Sequence, residues 1–196
     1  MKKICVAVLI SIICLCSVFY IEHNIYKIVS IKKQSENLLE NAYYIVEQQK
    51  EQNVNSVDIS NDVDIHNGDV IGLILIPKIN IEAPIREGTS QKVMENSVGH
   101  FVESDYWDGN VSVASHNSGT SAHYFEKINT LEINDEIIYK TVNGTKKYRV
   151  QHINKIKSTD WSMINKKSNN ENNTITLITC INRQPNYRLC VRGIEV

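Results

Sequence analysis

Among the reactive side chains of this 196-residue chain, one thiol stands apart by its setting. Cys180 closes TITLITC, Thr174 to Cys180, a run β-branched at nearly every position that reads as a buried strand. The polar turn INRQPN, Ile181 to Asn186, follows it. A thiol at the end of a rigid strand, beside a loop, is both held and reachable. Its chemistry would be nucleophilic, with thiolate as the attacking form. His116, at the end of NVSVASH, supplies an imidazole that can raise the thiolate fraction or act as a general acid. Arg188, at the start of RLCVRGIEV, supplies a permanent charge with paired donors, suited to an oxyanion where water is excluded. Arg183 on the intervening turn is a rival for that role; Arg188 is preferred, because a strand start facing Cys180 is better fixed than a loop tip.

The remaining reactive residues read as structural. Cys5, Cys14 and Cys16 lie in an apolar N-terminal run, facing lipid or a partner helix. Cys190, in LCV, reads as a core thiol, bonded to Cys180 only if their strands are neighbours. His100 in GHF is expected to pack or bond near the barrel end, and His123 to sit solvated on a helix. His100, His116, Cys180 and Cys190 lack the paired spacing of structural zinc, so no metal site is expected. With 21 basic and 22 acidic residues and no basic stripe, a nucleic-acid partner is excluded.

These groups need a scaffold, and the chain order supplies one. Met1-Lys2-Lys3 precedes an uncharged run, Ile4 to Ile21, near the lower limit for a membrane-spanning helix. No small-x-small cleavage site follows, so residues 1–24 read as an uncleaved signal anchor, a cleaved signal peptide being the alternative. Residues 25–69 read as a stalk or a helix lying on the domain, with Ile28, Ile31, Leu38, Leu39, Ala42, Ile45 and Val46 at helical spacing, then a polar linker from Asn53. Residues 70–196 hold the folded unit. VIGLILIP, IEAPI, VGHFV, NVSVASH, EIIYKTV, KKYRVQHINKI, TITLITC and RLCVRGIEV are short strands, and Asn143-Gly144 is read as a hairpin turn. Thr89 is expected to cap a short helix, SQKVMEN, and a second is expected over Ala122 to Ile128. The pattern is all-β, a closed eight-stranded barrel with short helices behind an N-terminal transmembrane helix.

With His116, Cys180 and Arg188 on strand ends, the ordered set IPKINIEAPIREGTS, VGHF, NVSVASHN, TLITC and YRL resembles the sortases, membrane-anchored cysteine transpeptidases of Gram-positive bacteria. The resemblance runs from about Val70 to the C-terminus. It implies a sortase-type barrel in which Cys180 attacks a backbone carbonyl of an LPxTG-like sorting signal. His116 would protonate the leaving amine, and Arg188 would bond substrate backbone or oxyanion. An amine on a cell-wall precursor or a pilin lysine would then resolve the thioacyl-enzyme. The implied partners are surface proteins bearing sorting signals, and the implied location is the cell membrane, single-pass, with the catalytic unit outside. Thr179, Asn117 and Trp161 are candidate substrate-binding residues by neighbourhood. The 157–173 segment is too short for the long helix of class B, which leaves a class A-like or class D-like member.

Two departures stand out. Ser115 occupies the position before the histidine where the family usually has glycine, and the Cys180-to-Arg188 loop is short. Some sortases bind calcium in loops flanking the groove; Glu103, Asp105, Asp108 and Glu171 match that pattern only in part and read as solvated charges, so no cofactor is expected. Two rivals remain: a membrane-anchored cysteine peptidase that mainly hydrolyses, and an inactive sortase-like scaffold that binds peptides.

Overall fold

The computed structural model describes residues 2–52, 65–119, 122–164 and 172–196. Among them eight strands close an antiparallel-rich barrel: β1 (Val70–Ile76), β2 (Ile81–Glu87), β3 (Val98–His100), β4 (Asn110–Ala114), β5 (Glu136–Thr141), β6 (Gly144–Lys157), β7 (Thr174–Cys180) and β8 (Tyr187–Glu195). The order around the barrel is β1-β2-β3-β4-β7-β8-β6-β5, and β5 pairs back to β1. β2 with β3 and β4 with β7 are parallel pairs. The second of these matters most. Ala114 stands opposite Ile178, so the chain leaves β4 through Ser115 and His116 beside Thr179 and Cys180.

Continuous apolar runs appear where both faces of a strand are covered. In β1, Ile74 and Ile76 enter the barrel core, while Leu73 packs outward on Ala42 and Val46. In β7, Ile175 and Leu177 fill the core and Ile178 joins a second cluster with Phe101, Ile164 and Cys190. Each fully buried Ile or Leu contributes about 1.5–3 kcal/mol. The outward Thr174 and Thr176 are also buried, and their hydroxyls both donate to Asn110 Oδ1, at 3.0 and 2.9 Å. Asn110 Nδ2 in turn donates to Met163 O at 2.9 Å, so one buried amide ties β4, β7 and the loop before β7.

The N-terminal run and the amphipathic stretch after it are one element. α1 (Lys2–Gln52) is a 51-residue helix, about 77 Å long at 1.5 Å per residue. From Ile10 to Ile21 it is exposed and apolar, and the helix is long and apolar enough to cross a membrane. Its later part lies on the barrel, where Ala42 and Val46 are buried, Gln34 accepts from Asn96 at 3.2 Å, and Ser35 hydrogen-bonds the Tyr124 hydroxyl. The linker expected from Asn53 falls largely outside the described residues.

Three local expectations change. α2 (Gln91–Met94) is capped by Ser90, whose hydroxyl accepts from Val93 N, and not by Thr89, because Ser90 directly precedes the first helical residue. Ala122 to Ile128 forms turns followed by a 3-10 turn at Ile128–Thr130, and no α-helix. The β5–β6 hairpin turns on Val142-Asn143: Thr141 pairs with Gly144, which opens β6 at φ 136, a value glycine accepts and other residues rarely adopt. Gly72 is required for a different reason. A Cβ there would meet the Lys140 carbonyl oxygen of the neighbouring β5 at 2.2 Å, at the place where β1 bulges against β2.

Candidate active site

Three strand ends converge at one rim of the barrel. The first is Cys180, the last residue of β7, a free and exposed thiol at the end of a strand buried up to Thr179. The second is the exit from β4. Ser115 N donates to Ile178 O at 3.4 Å, and the buried Thr179 hydroxyl donates to Ser115 O at 2.7 Å. His116 is thereby set beside the cysteine strand, and its carbonyl accepts from Phe125 N at 3.2 Å. The imidazole Nε2 is buried and meets no hydrogen-bond partner among the described residues. The third is the start of β8, where Arg188 lies directly opposite Cys180 in the antiparallel register. Its Nη1 donates to Pro185 O at 2.9 Å and to Tyr187 O at 2.8 Å, so one loop carbonyl and the first carbonyl of β8 hold the guanidinium in place.

Cys180, His116, Arg188, Thr179 and Trp161 all line one cleft of about 380 Å³. Its apolar wall comes from Met94, Phe101, Ala114, Ile156 and Ile178. Trp161 is 57% exposed and stands edge-on to Phe101, ring centroids 6.3 Å apart, as a lip on that wall. Such a cleft suits a short peptide segment with apolar side chains.

Asn117 lies elsewhere. It lines a second hollow of about 280 Å³ on the other side of Cys180, and its Nδ2 donates to Cys180 O at 2.7 Å and to Asn182 Oδ1 at 3.1 Å. That amide pins the histidine loop to the residue carrying the thiol. Thr179 is similarly engaged with backbone through its hydroxyl. Arg183, the rival arginine, sits exposed at the tip of the β7–β8 turn at φ 61 and lines neither hollow. Ser115 shows no positive φ, and its hydroxyl donates to Ala122 O at 3.4 Å, so a side chain is accommodated where glycine was expected.

The other sequence candidates are structural. Cys190 is a free buried thiol opposite Ile178, not opposite Cys180, and burial pushes it up to about 11. His100 is 2% exposed; its Nδ1 lies 2.8 Å from Glu87 Oε2 and its Nε2 3.1 Å from Asp105 O, tying β3 to β2 and to the loop after β3. His123 is exposed and pairs with Glu126 at 3.4 Å. Of the acidic set, Asp105 accepts from Asn110 N at 2.9 Å and Asp108 from Lys146 Nζ at 2.7 Å, while Glu171 lies outside the described residues. Among the described residues no three His, Cys, Asp or Glu side chains gather as metal ligands.

Sequence reasoning missed the apolar wall, since Met94, Phe101 and Ile156 come from three separate elements and carry no common spacing. It also missed Asn110, whose signal was legible. Two threonines at alternate positions of a buried strand need a polar partner.

An eight-stranded barrel thus carries a reachable thiol, an imidazole nitrogen without a hydrogen-bond partner among the described residues and a guanidinium held by backbone carbonyls on one rim. A sortase-domain family model matches residues 74–196, more than half of the chain. The chain belongs to the sortase family. It is similar to Sortase D of Bacillus subtilis (strain 168), 32% identical over 113 residues, 58% of this chain and 55% of that protein. The alignments span just over half the length of the curated relatives matched. Among solved structures, the Clostridium perfringens Sortase D5 transpeptidase superposes with a TM-score of 0.65 at 29% identity, over 85% of this chain and 99% of that one. A Clostridium perfringens sortase C solved with the C-terminal cell wall sorting motif gives 0.62 at 23% identity, over 91% and 98%, a likeness of fold.

Proposed function

We propose that this chain is a cysteine transpeptidase that cleaves an LPxTG-like sorting signal and joins the surface protein to an amine acceptor, on a cell-wall precursor or a pilin lysine. The observation that carries this reading is the convergence of Cys180, His116 and Arg188 on one peptide-sized cleft. The Cys180 thiolate attacks the scissile carbonyl, and the C=O electron pair moves onto oxygen beside the Arg188 guanidinium. The oxyanion collapses, the C–N bond breaks, and the departing amine takes a proton from the His116 imidazolium. A thioester remains. The acceptor amine then attacks it, gives its proton to His116, and releases Cys180 as thiolate. Trp161 and the apolar wall would grip the substrate side chains; Asn117 and Thr179 would act mainly by holding the histidine and cysteine segments.

The exposed apolar part of α1 would anchor the chain in the cell membrane with the barrel outside. The reaction would need no calcium, since Asp105 and Asp108 already hold protein groups. The 32% and 29% identities to D-type sortases favour a class D-like member.

The test uses the full chain in detergent micelles with a panel of LPxTG-like peptides and an amine acceptor, products read by mass spectrometry. A joined product with wild type, absent with Cys180→Ala at unchanged fold and unaffected by a calcium chelator, is the expected result. Hydrolysis alone would favour a peptidase, and failure of every peptide to form an adduct on Cys180 would favour a binding scaffold.

A further inference from the structure

The course of α1 relative to the barrel has a consequence for how substrate arrives. Ser35 bonds Tyr124, which adjoins Phe125, the residue whose N–H holds the His116 carbonyl. Tyr124 shares a surface hollow with Ile79 and Ile81, at the end where β1 finishes and β2 begins. Further along α1, Tyr43 lies under the Lys140 ammonium at 5.9 Å, and Ala42 and Val46 pack on Leu73. Lys140 is paired with Leu73 and lies next to the last residue of β5, toward the opposite end. Strand directions place that opposite end with the Val142-Asn143 hairpin. The ends of β1, β4, β6 and β7 and the starts of β2, β5 and β8 share the rim that bears Cys180. α1 therefore comes down onto the barrel from the catalytic side.

The helix above Ser30 is uncovered, and its exposed side chains keep an apolar character beyond the uncharged run: Ile25, Tyr26, Ile28 and Val29 are all more than half exposed. Lys27, Lys32 and Lys33 are exposed among and just after them. Apolar residues mixed with lysines, continuous with a membrane-spanning run, match the chemistry of the lipid headgroup zone, where apolar bodies sink and ammonium groups reach anionic headgroups. From Ile21 to Ser35 the helix advances about 21 Å.

We propose that the catalytic rim of the barrel faces the outer surface of the membrane, within about 20 Å of it, with residues 25–33 seated in an anionic headgroup layer. The scissile segment of the substrate must then be presented close to lipid. This rests on the membrane-anchor reading of α1.

The experiment uses the full chain in phosphatidylglycerol–phosphatidylethanolamine vesicles containing a headgroup-labelled acceptor lipid. A donor dye is attached at Ile133→p-azidophenylalanine or Asn143→p-azidophenylalanine, exposed positions flanking the two ends of β5. Energy transfer from the Ile133 site is expected to be at least about twofold greater, because six residues of strand separate the positions by roughly 20 Å. Inserting two helical turns after Lys27 adds about 10 Å and should reduce transfer from Ile133. Equal transfer from both sites, or more from Asn143, overturns the proposal, as does transfer unaffected by the insertion. A chain that does not float with the vesicles overturns the anchor reading and this one together. Transpeptidation of a soluble peptide, measured on the same vesicles, reports separately on the proposed chemistry.

Discussion

Replacing Thr179 with valine tests whether the barrel positions His116 through a single hydroxyl. Valine keeps the β-branched shape, so the buried end of β7 gains no cavity; what goes is the 2.7 Å bond to Ser115 O. The Ser115 carbonyl is left one donor short in a buried place, at a cost of about 1–3 kcal/mol. For a barrel of this size that lowers Tm by roughly 4–12 °C, which leaves the protein folded at 25 °C. Any rate loss then reports on geometry. If ~1–2 kcal/mol of the positioning is felt in the transition state, kcat/KM falls about 5- to 30-fold. The pH profile should retain its shape, because no titrating group is removed. Thr179→Ser keeps the hydroxyl and should recover most of the rate while losing some packing. The assays are transpeptidation kinetics and thermal unfolding on the full chain in micelles. A valine variant with wild-type rate, or a serine variant damaged equally, would sink the argument.

Four further outcomes follow from named contacts. Iodoacetamide at neutral pH should modify exposed Cys180 and leave Cys190 intact in the folded state, because that thiol is buried and pushed up to about 11; peptide mapping by mass spectrometry reads both. The same burial favours the neutral thiol in the fold, so between about pH 9 and 11 the unfolded chain has lost a proton that the folded chain keeps. Stability must fall as pH rises there, by up to roughly 1 kcal/mol per unit, and Cys190→Ala should show a shallower slope in urea titrations. Asn110→Ala removes the partner of two buried threonine hydroxyls and should destabilise by about 2–5 kcal/mol, whereas a loss below about 1 kcal/mol in chemical denaturation would show the network to be dispensable. Gly72→Ala drives a methyl into the Lys140 carbonyl oxygen and should lower the yield of folded protein or the Tm more than any exposed substitution.

What the sequence made legible was whatever depends on one strand at a time. TITLITC announces a buried strand and its reactive end, and Asn143-Gly144 between two strand-like runs announces a hairpin. The barrel order was less legible, because the parallel pairing of β4 with β7 joins segments some sixty positions apart that no local pattern links. The same limit explains the apolar wall: Met94, Phe101 and Ile156 become neighbours only when α2, the loop after β3 and the end of β6 meet. Asn117 was singled out because it adjoins His116, yet its amide turns away from the main cleft to bond Cys180 O, a choice fixed by the loop's tertiary path. Cap and turn assignments missed by one residue at Thr89 and Gly144, since neighbouring residues offer equivalent local chemistry and only backbone angles separate them.

The arrangement also explains why the three candidate catalytic residues tolerate a small β7–β8 loop. A long loop would have to order itself against substrate to bring an arginine home. Here the register does that work, since Arg188 is paired with Cys180 before the turn begins. The turn needs only to supply the Pro185 carbonyl, which aims the guanidinium together with that of Tyr187 at the start of β8. Arg183 at the tip takes the strained left-handed conformation that so tight a reversal demands. Its side chain is thereby carried out to solvent while Arg188 is kept at the cleft. A lengthened turn would relax Arg183 and remove the Pro185 carbonyl from Arg188. Arg188, the proposed oxyanion donor, would then be the first of the three to lose its place, with Cys180 and His116 still held by β7 and β4.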